Sequence, residues 1–351
     1  MKQHQKVIIF SHRVDNDGYL SATIMNNYFK YYVEKCYPET LSVEIKHVPW
    51  TYGDKIPDIN LIKKYDWCLV LDLHFENEMT IALRQHFQNK FIWIEHHALP
   101  ILEFKEYCKA NHIDDFVNGI QSTKIQDNNS YSNSAAELCW YFLFGCEGTD
   151  RFERYTGHIQ SANIFEKDKF KLPYLIKLVS DYDVWNYPNS NEWQYEIYPF
   201  QMGTKMIISS WKDMNKLYQD VIIGTPECDN IIKQIINKGQ TIIEYETSEC
   251  KKDIRTGMIE REFEFKDKIY KACILNTTKR SSNVFNNMPN RDDYDVFICF
   301  NVIENDENEL QYRYSMYAFK DDVNCAGMII NGLKFNGHNH ATGAQSNKFI
   351  F

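Results

Sequence analysis

The 351-residue sequence has no C-x-x-C pair among its ten cysteines, which are scattered from Cys36 to Cys325. Neither a zinc ribbon nor a thioredoxin-type redox motif can be built from them. Reduced thiols in a cytoplasmic protein are the simplest expectation. Basic charge is not in excess either: 39 Lys plus Arg face 48 Asp plus Glu, a formal charge of -9. That sign does not suit a protein that holds long nucleic acid by charge alone, so a polyanionic substrate has to be small, locally bound or held through metal ions. The first apolar run, KVIIF, is too short for a secretory h-region or a membrane span, so no membrane partner is expected and the run reads as a buried strand. Internal repeats and low-complexity tracts are missing as well. Hydrophobic residues make up 44% and charged residues 25%, ordinary globular values that exclude disorder, collagen-like and coiled-coil classes. The length exceeds what one core usually serves, which points to two domains.

Strands and helices alternate at the start. KVIIF is followed by SHRVDNDG and then by YLSATIMNNYFKYYVEK, whose apolar positions recur at helical spacing. SVEIKHVPW reads as a strand with Val43 and Ile45 on one face, DWCLVLDLHF as a compact strand, ENEMTIALRQHF as a helix and FIWIEHH as a further strand. This order predicts an α/β domain with a mainly parallel sheet over residues 1–190. After the polar loop IQDNNSYSNS, Ser134 and Glu137 fit a capping box at the head of a helix. Another helix is expected from about Arg151 to Val179. The stretch NYPNSNEWQYEIYPF, with two prolines and several Asn, reads as a linker, and residues 191–253 as linker and connecting helices. From residue 254 to 351 the texture is that of a smaller mixed α/β domain: GMIEREFEF, KIYKACILN, YDVFICFNVI and LQYRYSMYAF as strands, then CAGMIINGLK as a short helix.

Metal-ligating residue types fall at successive strand ends: His12, Asp15 and Asp17 after the first strand, Asp72 after the third, and Glu95, His96 and His97 after the fourth. In open parallel sheets these positions converge at the carboxyl edge, the usual ligand crevice. Asp181 and Asp183 follow the apolar run YLIKLVS. Each piece alone has a plainer reading: DNDG as an Asx turn, Asp72 as a helix cap, DYD as a turn. Joint placement at consecutive strand ends favours a metal site, and carboxylates with imidazoles suit manganese, iron, cobalt or zinc.

These residues resemble the DHH phosphoesterase superfamily. SHRVDNDGYLSA is similar to its motif I, LVLDLHF to motif II, IWIEHH to motif III and LVSDYDVW to motif IV. The C-terminal FNGHNHATGA resembles the GGGHxxAAG motif of the DHHA1-type domain found in many members. The resemblance runs in order along nearly the whole chain and implies a substrate cleft between the two domains. It also implies two divalent ions, manganese first with magnesium or cobalt as alternatives, that activate a water against phosphorus. By that resemblance His12 and Asp15 hold one ion, Asp17, His96 and Asp181 the other, and Asp72 bridges both. Asp72 and His97 are then the catalytic residues, His97 contacting phosphoryl oxygens or protonating the leaving group, with Glu95 and Asp183 in support.

The sequence departs from that pattern at three places. Glu95 stands where the family has Asp, one methylene longer. The glycine run is reduced to Asn336 and Gly337 before His338, leaving Gly337, His338 and Gly343 to approach phosphate. Tyr317 occupies the position of a family Arg beyond Ser315, and Arg313 supplies a cation on the same face if that strand is regular. Lys279 and Arg280 form a second basic spot, a phosphate contact or a solvated turn. The expected substrate is a short oligoribonucleotide or cyclic dinucleotide, with no long duplex as partner. A 5′ single-strand exonuclease, a polyphosphate or pyrophosphate hydrolase, and a catalytically silent nucleotide sensor are the alternatives.

Overall fold

The computed structural model describes residues 2–33, 39–124, 132–144, 172–223, 228–278, 282–286, 288, 290–304 and 308–351. The chain divides into two compact units, Met1–Gln240 and Thr241–Phe351. The first holds a four-stranded, wholly parallel sheet made of β1 (Gln3–His12), β2 (Leu41–Trp50), β3 (Trp67–Leu71) and β4 (Phe91–Ile94), in the order β2-β1-β3-β4. Its middle strands are continuous apolar runs because both faces are covered. Side-chain alternation sends Ile8, Phe10, Cys68, Val70 and Trp93 to one face, against Ile81, Leu83 and Phe87 of helix α3 (Asn77–Phe87) and Phe104 and Cys108 of α4 (Ala98–Ala110). A short helix, α2 (Ile59–Ile62), precedes β3.

Val7, Ile9, Leu69, Leu71, Ile92 and Ile94 face the other way, into a larger cluster. Leu20, Ile24 and Met25 of α1 (Asn16–Asn27), which runs on into a π-helical turn at Tyr28–Val33, belong to it. So do Leu138 and Trp140 of α5 (Ala135–Phe144) and Leu175 and Leu178 of α6 (Tyr174–Asp183). Each fully buried side chain of this size contributes roughly 1.5–3 kcal/mol. The segment read as a linker belongs to the same core: Trp193, Ile197 and Phe200 are buried in it, followed by Met214, Leu217, Ile232 and Ile235. A π-helical turn, Trp193–Ile197, leads into α7 (Tyr198–Thr204), and α8 (Trp211–Tyr218) follows. Pro199 follows directly on the π-helical turn, and Ile197 and Tyr198 before it are already helical, so the proline that signalled a linker sits within one continuous helical stretch over 191–204. Residues 191–240 are thus part of the first unit, and the division at Gln240 falls inside the 30-residue helix α9 (Cys228–Gly257). Most of the helix expected over 151–179 lies outside the described residues.

The second unit is built on a six-stranded mixed sheet in the order β11-β12-β8-β7-β6-β5. Its strands are β5 (Met258–Phe265), β6 (Lys268–Asn276), β7 (Val296–Glu304), β8 (Leu310–Tyr317), β11 (Asn336–His338) and β12 (Ala341–Ser346). Only the β6–β7 pair is parallel. One face buries Ile274, Ile298, Tyr314 and Met316, the other Leu275, Phe285, Phe297 and Cys299. The helix expected at CAGMIINGLK is instead a hairpin of β9 (Ile329–Ile330) and β10 (Leu333–Lys334). Asn331 and Gly332 both take positive φ, 48° and 84°, as a two-residue hairpin turn requires. Among the described residues no helix is long and apolar enough to cross a membrane.

Candidate metal centre

Parallel register brings the strand ends level. Ser11 pairs with Leu71 and Leu71 with Ile94, so His12, Asp72 and Glu95 leave the sheet side by side at its carboxyl edge. Two backbone features sharpen that edge. A Cβ on Gly18 would lie 2.2 Å from the carbonyl oxygen of His12, so only glycine lets α1 start this close to the end of β1. Asp72 has φ 58°, a left-handed conformation rare for a non-glycine residue and a form of strain concentrated at functional sites. Its N–H donates to the carbonyl of Ile94 at 2.9 Å, which holds the turn in place.

The carboxylate of Asp72 stands between two groups of metal-ligating residue types. Its Oδ2 lies 3.7 Å from Nδ1 of His12, which is 2.8 Å from Oδ2 of Asp15. Its Oδ1 lies 3.2 Å from Nε2 of His96, which is 3.9 Å from Oδ2 of Asp17 and 3.4 Å from Oδ2 of Asp183. Within each of the sets His12, Asp15, Asp72 and Asp17, His96, Asp183, the ligand atoms all lie within 4.8 Å of one another. Asp181, expected as a ligand, is turned elsewhere: it accepts from Nζ of Lys177 at 2.7 Å and from Nδ2 of Asn186 at 2.9 Å. Asp183, expected only in support, takes its place beside His96.

Further contacts fix these side chains. Asp15 caps α1, accepting from the Gly18 N–H at 2.9 Å while its other oxygen meets His12, so the helix-cap reading and the ligand reading hold together. Asp17 is buried at the head of α5, where it accepts from the Ala135 and Ala136 N–H groups at 2.8 and 2.9 Å and from the Ser134 hydroxyl at 2.6 Å. Ser134 also accepts the Glu137 N–H at 3.5 Å, the capping half of the expected box, while the Glu137 side chain accepts from Ser180 at 2.6 Å. Glu95 curls back so that Oε1 accepts from the N–H groups of His96 and His97 at 2.8 and 2.9 Å and from Nδ1 of His97 at 2.7 Å. The extra methylene lets one carboxylate reach both backbone donors and the ring. It leaves Nε2 of the half-exposed His97 outside that hydrogen bond.

Electrostatics differ across the centre. Burial, then the nearby carboxylates of Asp17 and Asp15, push Asp72 well above the usual range and Asp183 up to about 9. Burial raises Asp17 to about 6, even with the Ser134 hydroxyl bond opposing. At Asp15 burial acts in the same direction but is outweighed by the hydrogen bonds from His12 and Gly18, and the carboxyl is held low. Burial, with the neighbouring His97, lowers His96 to about 4 and keeps it a neutral donor of its lone pair. The Glu95 bond raises His97. Oδ1 of Asp72, Oε2 of Glu95 and Nε2 of His96 are buried without a hydrogen-bond partner, an expensive state that a cation between them would relieve. Crowded carboxylates, neutral imidazole and orphaned ligand atoms together fit hard or borderline divalent ions.

The expected substrate-side residues meet in the second unit. Gly343 pairs with both Asn336 and Ser315, Gly337 pairs with Thr342, and Arg313 lies on the same face of β8 as Ser315. The glycine segment is a tight exposed hairpin rather than an open loop: Gly337 has φ 147°, and a Cβ there would meet the Ala341 carbonyl oxygen at 2.6 Å. His338 and His340 are exposed. Lys279 and Arg280 lie outside the described residues. Sequence reasoning missed Thr51, whose hydroxyl is 3.1 Å from Nε2 of His12. Trp50 pairs with His12 across the parallel strands, so residue 51 emerges at the same edge, which is the signal that was there to use.

No protein-family model matches the sequence, and no curated protein does. Among solved structures the chain is similar to the crystal structure of exonuclease RecJ bound to manganese, at 12% identity over 97% of this chain and 85% of that one, with a TM-score of 0.44.

Proposed function

We propose that this chain is a metal-dependent phosphoesterase of the DHH type that hydrolyses small nucleotides, short oligoribonucleotides or cyclic dinucleotides. The observation that carries the reading is the Asp72 carboxylate, with one oxygen toward His12 and Asp15 and the other toward His96, Asp17 and Asp183. The order of the motifs along the chain supports it. His12, Asp15 and Asp72 would hold one divalent ion, and Asp17, Asp72, His96 and Asp183 a second, manganese before magnesium or cobalt. When bound, such a pair neutralises phosphoryl oxygens and supplies an activated water.

The protein's own groups do the rest. Glu95 fixes the His97 ring through Nδ1, so Nε2 is the atom that contacts a phosphoryl oxygen or delivers a proton to the leaving oxygen. Asp17, tied to the first turn of α5, keeps its side of the centre rigid. Arg313, Ser315, Gly337, His338 and Gly343 are assigned to the remainder of the substrate. The acidic balance of -9 disfavours long polyanions and suits a substrate gripped through metal ions in the cytoplasm.

The test is a panel of short RNA, short DNA, cyclic dinucleotides, a long single strand, pyrophosphate and polyphosphate, incubated with manganese, with the Asp72→Asn variant alongside. Hydrolysis of the short nucleotides is expected in the wild type, falling by roughly a hundredfold or more in the variant. Equal turnover in the variant, or release of phosphate only from base-free substrates, would overturn the reading. So would tight nucleotide binding with no product.

A further inference from the structure

The turn after the candidate ligand Asp183 is built in an unusual way. Trp185 and Tyr187 both take left-handed backbone conformations, φ 53° and 54°, although neither is glycine. Bulky residues avoid that region unless the surroundings impose it. Here they do. Asn186, between them, is only 6% exposed, and its amide donates to Asp181 at 2.9 Å and to the Ser132 carbonyl at 3.0 Å, while its own N–H bonds the Asp181 carbonyl at 2.9 Å. That gives Asp181 a purpose apart from metal binding: it anchors this turn.

The anchored turn presents an aromatic surface. Buried Trp193 stacks on Tyr182 at 5.6 Å with ring planes 10° apart, and Trp185 lies against Trp193 at 5.3 Å and 31°. Trp185 is nevertheless 64% exposed, a large apolar ring kept at the surface on a rigid support. Lys177, the lysine on α6, is paired with Asp181 and Glu192. What this turn itself presents among the described residues is a stacking face.

The geometry points to Trp185 as the platform on which a nucleobase stacks while its phosphate lies at the metal centre, two residues away at Asp183. This rests on the phosphoesterase reading. Phosphate binding beside a flat aromatic ring matches the two chemistries that one nucleotide joins. Stacking uses the π-face that every base possesses, so the subsite selects for the presence of a base and discriminates little among bases.

The test compares hydrolysis of the dinucleotide pApA with hydrolysis of the same backbone lacking its bases, with manganese, in wild type, Trp185→Ala and Trp185→Phe. The ratio of kcat/KM for pApA to that for the base-free backbone should fall by roughly tenfold or more in Trp185→Ala, through KM, and largely recover in Trp185→Phe. Thermal unfolding of both variants reports that the fold is intact. An unchanged ratio in a folded Trp185→Ala overturns the assignment, as does a loss of self-association in place of the KM effect, which would give the face to a second copy of the chain. If the wild type hydrolyses neither compound, the phosphoesterase reading fails first, and the platform is then overturned by pApA binding wild type and Trp185→Ala with equal affinity in calorimetry.

Discussion

The two sides of the Asp72 carboxylate are built from similar residues but stand in opposite electrostatic states. On one side Asp15 is matched by His12 at 2.8 Å and capped by a backbone N–H, and its carboxyl stays low. On the other side Asp17 and Asp183 are buried near a His96 that burial keeps neutral, and Asp183 is raised to about 9. The first side is close to balanced as it is, whereas the second needs a cation to be stable in its ionised form. Ligand type alone therefore does not define a metal site; the charge left uncompensated does.

The largest expected effect follows from that difference. Near neutral pH a cation entering either side has to displace a proton from the shared Asp72, and one entering the second side also displaces a proton from Asp183, so manganese affinity there should rise more steeply, by roughly a further tenfold per pH unit up to about 9. Binding at the His12–Asp15 side should follow Asp72 alone and change less over the same range. Calorimetry between pH 6 and 9 would resolve the two events. Asp183→Asn should abolish the steeper of the two pH dependences and weaken that event by roughly ten- to a hundredfold, and Asp15→Asn should leave the steeper dependence in place. Survival of the steeper dependence in Asp183→Asn would break the contrast. Without metal the sign for stability is also set. Folded Asp183 keeps a proton that the unfolded chain has released above its ordinary value of 3.8, so stability of the chelated protein should fall as pH rises from 3.8 to about 9.

Glu95 supplies the next effect, smaller because it positions His97 and the histidine turn from behind. Glu95→Asp shortens the arm that reaches two backbone N–H groups and the ring. Turnover should fall by about tenfold, the lower range for losing an outer partner of a ligand. Glu95→Gln should also lose the support that raises His97, and the basic limb of the pH profile should move to lower pH. An unaltered profile in Glu95→Gln would show that His97 does not depend on its bond to Glu95.

Much of this centre was legible because doubly covered strands are continuous apolar runs, and the first polar residues after them mark one sheet edge. Asp181 and Asp183 were not separable in the same way. They sit two apart on α6, about 200° around the helix, so one faces the Asn186 turn and the other His96. Which does which depends on the rotation of the helix, set by Leu175, Leu178 and Val179 packing into the core, and no local motif encodes it. The Asn331-Gly332 hairpin was legible in principle, since that pair is a strong turn signal, but the flanking apolar residues also fit a helix. At residues 186–200 the prolines and asparagines obscured a helical spacing of Trp193, Ile197 and Phe200 that only core packing reveals.

The smallest effect lies away from the ligands and separates a half-buried histidine that serves only the fold from those of the centre. His47 on β2 bonds the hydroxyl of buried Ser11 at 2.8 Å and packs its ring 4.9 Å from Trp211. Burial lowers its pKa to about 4 from 6.5. The unfolded chain therefore takes up a proton that the folded one refuses, so the contribution of His47 is whole above pH 6.5 and is lost as pH falls toward 4. A shift of that size corresponds to at most about 3 kcal/mol, less after allowance for the ring's partial exposure. His47→Gln can keep a hydrogen bond to Ser11 but cannot titrate, so its unfolding free energy should decline less steeply between pH 6.5 and 4 than that of the wild type. Denaturant melts at several pH values, with chelator present so that the metal ligands are in one state, would measure the difference in slope. Parallel slopes would mean that the acid sensitivity belongs to the metal centre, and the separation between folding and ligand histidines would then disappear.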